Sequence, residues 1–165
     1  MKTLVDLNAC TEAQRWFNEQ PNAYRAYLAC ERPDWLFWLA GKLNLDHRLI
    51  VLAACNIART VLPHVPKGED RPRIAIETAE AWCKGEATID QVRFTANAAY
   101  AAYAANYAAY AAYAAYAAAD AAASSYAYAS SYADTDAARK KAQKEHCKII
   151  RRHITWKMVK EAAST

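Results

Sequence analysis

Apolar positions along the chain recur three and four residues apart rather than in alternation, which is the period of helices packed on one side. The strongest instance lies between residues 96 and 119, built almost entirely of alanine and tyrosine, with Tyr100, Tyr103, Tyr107, Tyr110, Tyr113 and Tyr116 at that spacing. Alanine is the best helix former and each tyrosine adds a flat apolar ring tipped by a hydroxyl, so the tract predicts a long central helix. The first four tyrosines share a stripe, and the strict threes that follow rotate it off that face. Such a stripe suits a helix packed on several sides; the alternative is a tyrosine-lined ligand surface.

Shorter elements precede this spine. Thr11-Glu12-Ala13-Gln14 has the form of a capping box and predicts a first helix that stops at Pro21. A second is expected from Asn22 to Glu31, with Tyr24, Tyr27 and Leu28 on one face. Pro33 suits the first turn of a third, Trp35 to Ala40, ended near Gly41. Asp46 starts a fourth through Ile50, Leu52, Ile57 and Val61, closed by Pro63. Between Pro63 and Asp70 lies the main irregular segment. Pro72 then enters a fifth helix that Gly85 ends as a C-cap. Thr88-Ile89-Asp90-Gln91 is a second capping box and opens the spine.

An unbroken helix from Thr88 to Cys147 would be roughly 90 Å long, too long for a compact domain of this size. A break is therefore expected among Ser124, Ser125, Ser130, Ser131 and Asp134, followed by a basic helix from Asp136 to the neighbourhood of Val159. The expected fold is all-α, a bundle of six to eight helices around the Ala/Tyr-rich central helix. It forms one domain: short helices and a polar loop over 1–87, the Ala/Tyr helix over 88–133, and the basic C-terminal helix over 134–165. Three glycines in 165 residues leave few turns, which favours long elements over strands.

The formal charge of +4 is uneven. Residues 134–165 carry nine Lys/Arg against four Asp/Glu, whereas residues 1–133 are net −1. Cys10, Cys30, Cys55, Cys83 and Cys147 are scattered and odd in number, so reduced core thiols are expected rather than a disulfide framework or zinc ribbon. The first ten residues are too short and polar for a signal peptide. The uncharged run from Arg93 to Asp120 has the length of a membrane span, but alanine, tyrosine, Asn97 and Asn106 do not favour lipid. The chain is expected to be cytoplasmic with no membrane partner.

The densest polar cluster is His64-Val65-Pro66-Lys67-Gly68-Glu69-Asp70-Arg71-Pro72-Arg73, leading into a helix N-terminus where free amides favour anions. Lys67, Arg71 and Arg73 could grip a phosphate or acidic side chains, yet Glu69 and Asp70 sit among them and Asp70 could cap the helix itself. Arg48 and Arg59 can share a helix face, with Glu77 or Glu80 as ion-pair partners. His146, Cys147 and His153 lie only partly on one side of their helix, and neither a metal site nor a cofactor is expected. No phosphate-loop, nucleophile-elbow or zincin pattern exists, so an enzyme is not expected. The stretch from Arg139 to Lys160 is a basic amphipathic helix, which could meet nucleic acid, an anionic membrane or an acidic partner, or simply cover the spine.

Tyr27-Leu28-Ala29-Cys30, Trp35 to Leu39, Arg71-Pro72-Arg73-Ile74-Ala75-Ile76-Glu77, Ala81-Trp82-Cys83-Lys84-Gly85-Glu86 and the alanine-rich helix follow one another in an order that resembles a known family. It is the fifth class of immunity proteins in bacterial polymorphic toxin systems, also carried on phage genomes. The resemblance covers roughly residues 23–132; the tyrosines of the alanine helix and the basic tail depart from the family pattern. It implies an all-α, non-enzymatic protein that neutralises a toxin or defence effector by stoichiometric binding. The contact residues expected are Lys67, Arg71, Arg73 and Glu77, with Trp35 and Trp82 as anchors. Two other readings stand beside it: sequestration of a small anionic nucleotide signal by the same loop, and nucleic-acid binding through the basic helix. An exposed Ala/Tyr stripe would also allow a homo-oligomer.

Overall fold

The computed structural model describes residues 2–60, 62–65, 67–100 and 136–165. Among them the structure is all-α. In chain order the helices are α1 (Thr11–Asn18), α2 (Ala23–Ala29), α3 (Pro33–Lys42), α4 (His47–Arg59), α5 (Arg71–Lys84), α6 (Ile89–Tyr100), α7 (Asp136–His153) and α8 (Trp156–Ser164), with a 3₁₀ turn at Leu62–His64. None of the helices described is long and apolar enough to cross a membrane. The spine expected beyond Tyr100, with its tyrosines Tyr103 to Tyr116 and its break among the serines, lies outside the described residues.

Helix α4 sits between two apolar clusters. Ile50, Ala53, Ala54 and Ile57 face the first, with Leu36 and Phe37 of α3, Tyr27 of α2, Cys147 and Ile150 of α7 and Val159 of α8. Val51, Cys55 and Ala58, on the adjacent face, join Ala75, Ile76, Ala79 and Cys83 of α5 and Val92 of α6. Offsets of three, four and seven residues generate each face. All five cysteines are free thiols, four buried and Cys10 exposed.

Local signals account for four of the helix ends. Asn22 caps α2 by accepting the Arg25 amide at 2.9 Å, and Asp46 caps α4 by accepting the Arg48 amide at 2.9 Å. At α6 the Thr88 amide donates to Gln91 Oε1 at 2.7 Å and the Gln91 amide donates back to Thr88 Oγ1 at 3.2 Å, the capping box expected there. Gly85 closes α5 at φ 81°, in the left-handed region that favours glycine.

Four expectations are corrected. Thr11 is the first helical residue of α1 and Cys10 its N-cap, with no side-chain cap bond; Gln14 instead reaches back to the Ala9 carbonyl at 2.7 Å. Gly41 lies inside α3, and the left-handed turn after the helix falls on Asn44, φ 51°. Helix α4 ends at Arg59, two residues short of Val61, and gives way to the 3₁₀ turn. The basic helix is two helices, broken at Ile154 and Thr155, where extended Thr155 becomes the N-cap of α8.

Two long side chains lock α2 to this break. The Tyr27 hydroxyl donates to the Ile154 carbonyl. In return the Arg151 guanidinium donates to the Tyr27 carbonyl at 3.0 and 2.9 Å, and to the Cys30 carbonyl. Carbonyls at helix ends lack intrahelical partners, so each side chain satisfies groups the other helix leaves open. Arg151 is therefore an internal tether, not part of a solvent-facing basic stripe.

Candidate functional site

Helices α5 and α6 are joined by the turn through Gly85 and the Thr88 box, and they diverge around an open cleft of about 650 Å³. Ile74, Thr78 and Ala81 form its α5 wall; Asp90, Gln91, Phe94 and Thr95 form its α6 wall, and Glu77 stands at the edge. Phe94 is 75% exposed and Ile74 45% exposed, on helices whose opposite faces are buried in the second cluster. Exposed apolar side chains gathered in one concavity mark an interaction face more often than scattered ones do.

The loop before α5 is organised by its own ion pairs. Glu69 Oε1 accepts the Arg71 amide at 3.1 Å and Arg71 Nε at 2.7 Å, so Glu69 rather than Asp70 covers the helix start. That guanidinium holds the Glu69 carboxyl below its ordinary range. The Asp70 carboxylate makes no cap bond and takes Arg73 Nη2 at 2.7 Å, while Arg73 Nη1 reaches Glu77 at 3.5 Å. Arg73 is thereby kept protonated, chiefly by Asp70. Across the cleft, Arg93 pairs with Asp90 at 3.2 Å. Both arginines of the loop are thus matched to carboxylates, which leaves a rim of exchangeable ion pairs rather than a concentrated positive field for an anion.

The six residues singled out from the sequence divide three ways. Arg73 and Glu77 are paired on the first turns of α5, with Glu77 on the cleft edge; Arg71, beside them in sequence, pairs with Glu69, and Lys67 is exposed in the preceding loop. Trp82 lies half-buried on the same helix, packed on the second cluster. Trp35 belongs to the first cluster, where its ring meets Trp16 at 5.7 Å and lies beneath the Arg32 guanidinium at 4.6 Å. Phe94, Ile74 and Asp90 were not singled out. An aromatic between Arg93 and Thr95 in a helix whose buried positions are Val92, Ala96 and Ala99 was the available signal.

Elsewhere the polar groups are structural. Arg59 forms a two-pronged pair with Glu80, at 2.8 and 2.7 Å, one of the two partners expected for it. Asn56 Nδ2 lies 2.6 Å from His153 Nε2, and His146 and Cys147 are buried. Burial pushes the Cys147 thiol up to about 12, which keeps it protonated and a poor metal ligand. The described residues hold no group of three or more His, Cys, Asp or Glu placed around a metal ion. On the tail, Lys144, Lys148 and Lys157 pair with Glu31, Glu145 and Glu161 at 3.1, 3.2 and 3.9 Å.

No curated protein and no solved structure matches the chain. One family does, described as Imm-5 like putative immunity protein, over residues 43–153. That span begins later than the resemblance read from the sequence and takes in α7, so Trp35 falls outside it and the α5–α6 cleft inside. The chain belongs to the Imm-5 like putative immunity protein family.

Proposed function

We propose that this protein neutralises a protein toxin by binding it stoichiometrically across the α5–α6 cleft, with no bond made or broken. The observation that carries the reading is Phe94, a largely exposed aromatic over an apolar concavity within the family-matched span. Binding energy concentrates in such anchors when a partner buries them, while a charged rim sets orientation and association rate. Ile74 and Ala81 supply the surrounding apolar floor. The pairs of Arg71, Arg73 and Arg93 with Glu69, Asp70, Glu77 and Asp90 supply the charged surround. Trp82, half-buried against the second cluster, is not among the residues lining the cleft.

Co-expression with the toxin encoded beside this chain, followed by calorimetry on the purified pair, tests the proposal. Growth rescue and a one-to-one complex are expected. Phe94→Ala should weaken binding by about 2 kcal/mol, roughly thirtyfold in Kd. Unchanged affinity in that variant would move the interface away from the cleft, and no complex with any neighbouring toxin would sink the immunity role.

A further inference from the structure

The first cluster opens at its surface into a half-enclosed apolar pocket of about 110 Å³, walled by the half-buried rings of Trp16, Trp35, Trp38 and Trp156. Three polar groups around this pocket are already engaged. The Tyr27 hydroxyl donates to the Ile154 carbonyl, the Cys30 thiol to the Arg32 carbonyl at 3.5 Å, and the Lys2 amide to the Ala163 carbonyl at 2.7 Å. Water has little to bond to there, and a concave apolar surface of this kind favours an apolar occupant.

The cavity is built almost wholly by residues 2–39 and 156–163. Of its lining only Leu43 falls within the family-matched span. It is therefore separate from the α5–α6 cleft, on segments that flank the immunity-family region. We infer that it is a binding site for a small uncharged aromatic molecule of the size of benzene or indole. Four indole walls favour a ring, through edge-to-face and offset contacts, over an aliphatic chain of equal volume. No charged side chain is buried in the lining to hold an ionised ligand, since Lys2 is exposed.

The test is titration of the full chain with benzene and with indole, read by tryptophan emission and by melting temperature. Four of the five tryptophans line the cavity, so emission reports occupancy. A saturable change and a raised melting temperature are expected. Ala26→Leu and Ala163→Leu, which fill the cavity from opposite elements, should each weaken binding by about tenfold or more. Circular dichroism identifies which of them keep the helical fold. N-acetyltryptophan amide, the same ring on a peptide backbone, should not bind; binding as tight as indole would overturn the small-molecule site in favour of a partner's side chain. No saturable response to either ring, or undiminished affinity in a folded variant, overturns the proposal.

Discussion

Tyr27 and Arg151, 124 residues apart, are joined twice: the guanidinium donates to the Tyr27 carbonyl and also lies 5.7 Å from the Tyr27 ring centroid. With the Tyr27 hydroxyl on the Ile154 carbonyl, the pair closes the fold between its early helices and its tail. Tyr27→Phe should cost about 1–3 kcal/mol, because it strands a buried carbonyl. Arg151→Lys, which loses the fork, should cost about as much. Urea unfolding of both single variants and the double should show losses that do not add, as expected for groups sharing one network.

The two phenylalanines of α3 and α6 should respond oppositely to truncation. Phe37 is fully buried, so Phe37→Ala should cost about 3–5 kcal/mol. Phe94→Ala should leave stability within about 0.5 kcal/mol, since little packing is lost. Thermal melts of the two variants check this, and they separate the Phe94 binding prediction from any folding defect.

His146 makes stability depend on acidity. Burial lowers its folded pKa to about 4 from an ordinary 6.5, with Glu145 opposing weakly. Between those values the unfolded chain holds the extra proton, so stability is full above about pH 6.5 and falls as pH drops toward 4. The loss should approach roughly 3 kcal/mol. Burial, and next Arg152, lower His153 in the same direction, adding to the trend. Chemical denaturation at intervals from pH 7 to pH 4 should give a declining midpoint, and His146→Gln should flatten it.

The Gly85 turn should tolerate little besides glycine. An added Cβ would meet nothing within 4 Å, so the cost of Gly85→Ala is backbone strain alone, about 1–2 kcal/mol. Gly85→Asn should cost less, because asparagine visits that conformation more readily. Thr88→Ala, three residues on, should cost about 1 kcal/mol through the lost cap. Melting temperatures of the three variants order these effects.

What the sequence made legible was local. The Thr88–Gln91 box, the Gly85 cap and the Asp46 cap all follow from spacings of a few residues, whereas the choice of Glu80 over Glu77 as the partner of Arg59 is fixed only by the docking of α5 on α4. Thr11 misled because Cys10, without a capping oxygen, took the position before it. The role of Arg151 was hidden, since its acceptors are fixed only by the docking of α7 on α2, and pattern alone cannot separate an inward arginine from its solvent-facing neighbours. Thr155 did carry a signal for the break, a helix-starting residue ahead of Trp156, but the run of basic residues across it suggested continuity. Phe94 was obscured by the tyrosines that follow it, and Trp35 by its place in a run of apolar residues that could have been exposed.

The position of α4 has a consequence for how the molecule comes apart. One thirteen-residue rod serves as party wall to both apolar rooms. Neither room can empty while the other stays furnished, so helices at opposite ends of the chain should be lost in one step, and a ring lodged among the tryptophans would brace the α5–α6 side without touching it.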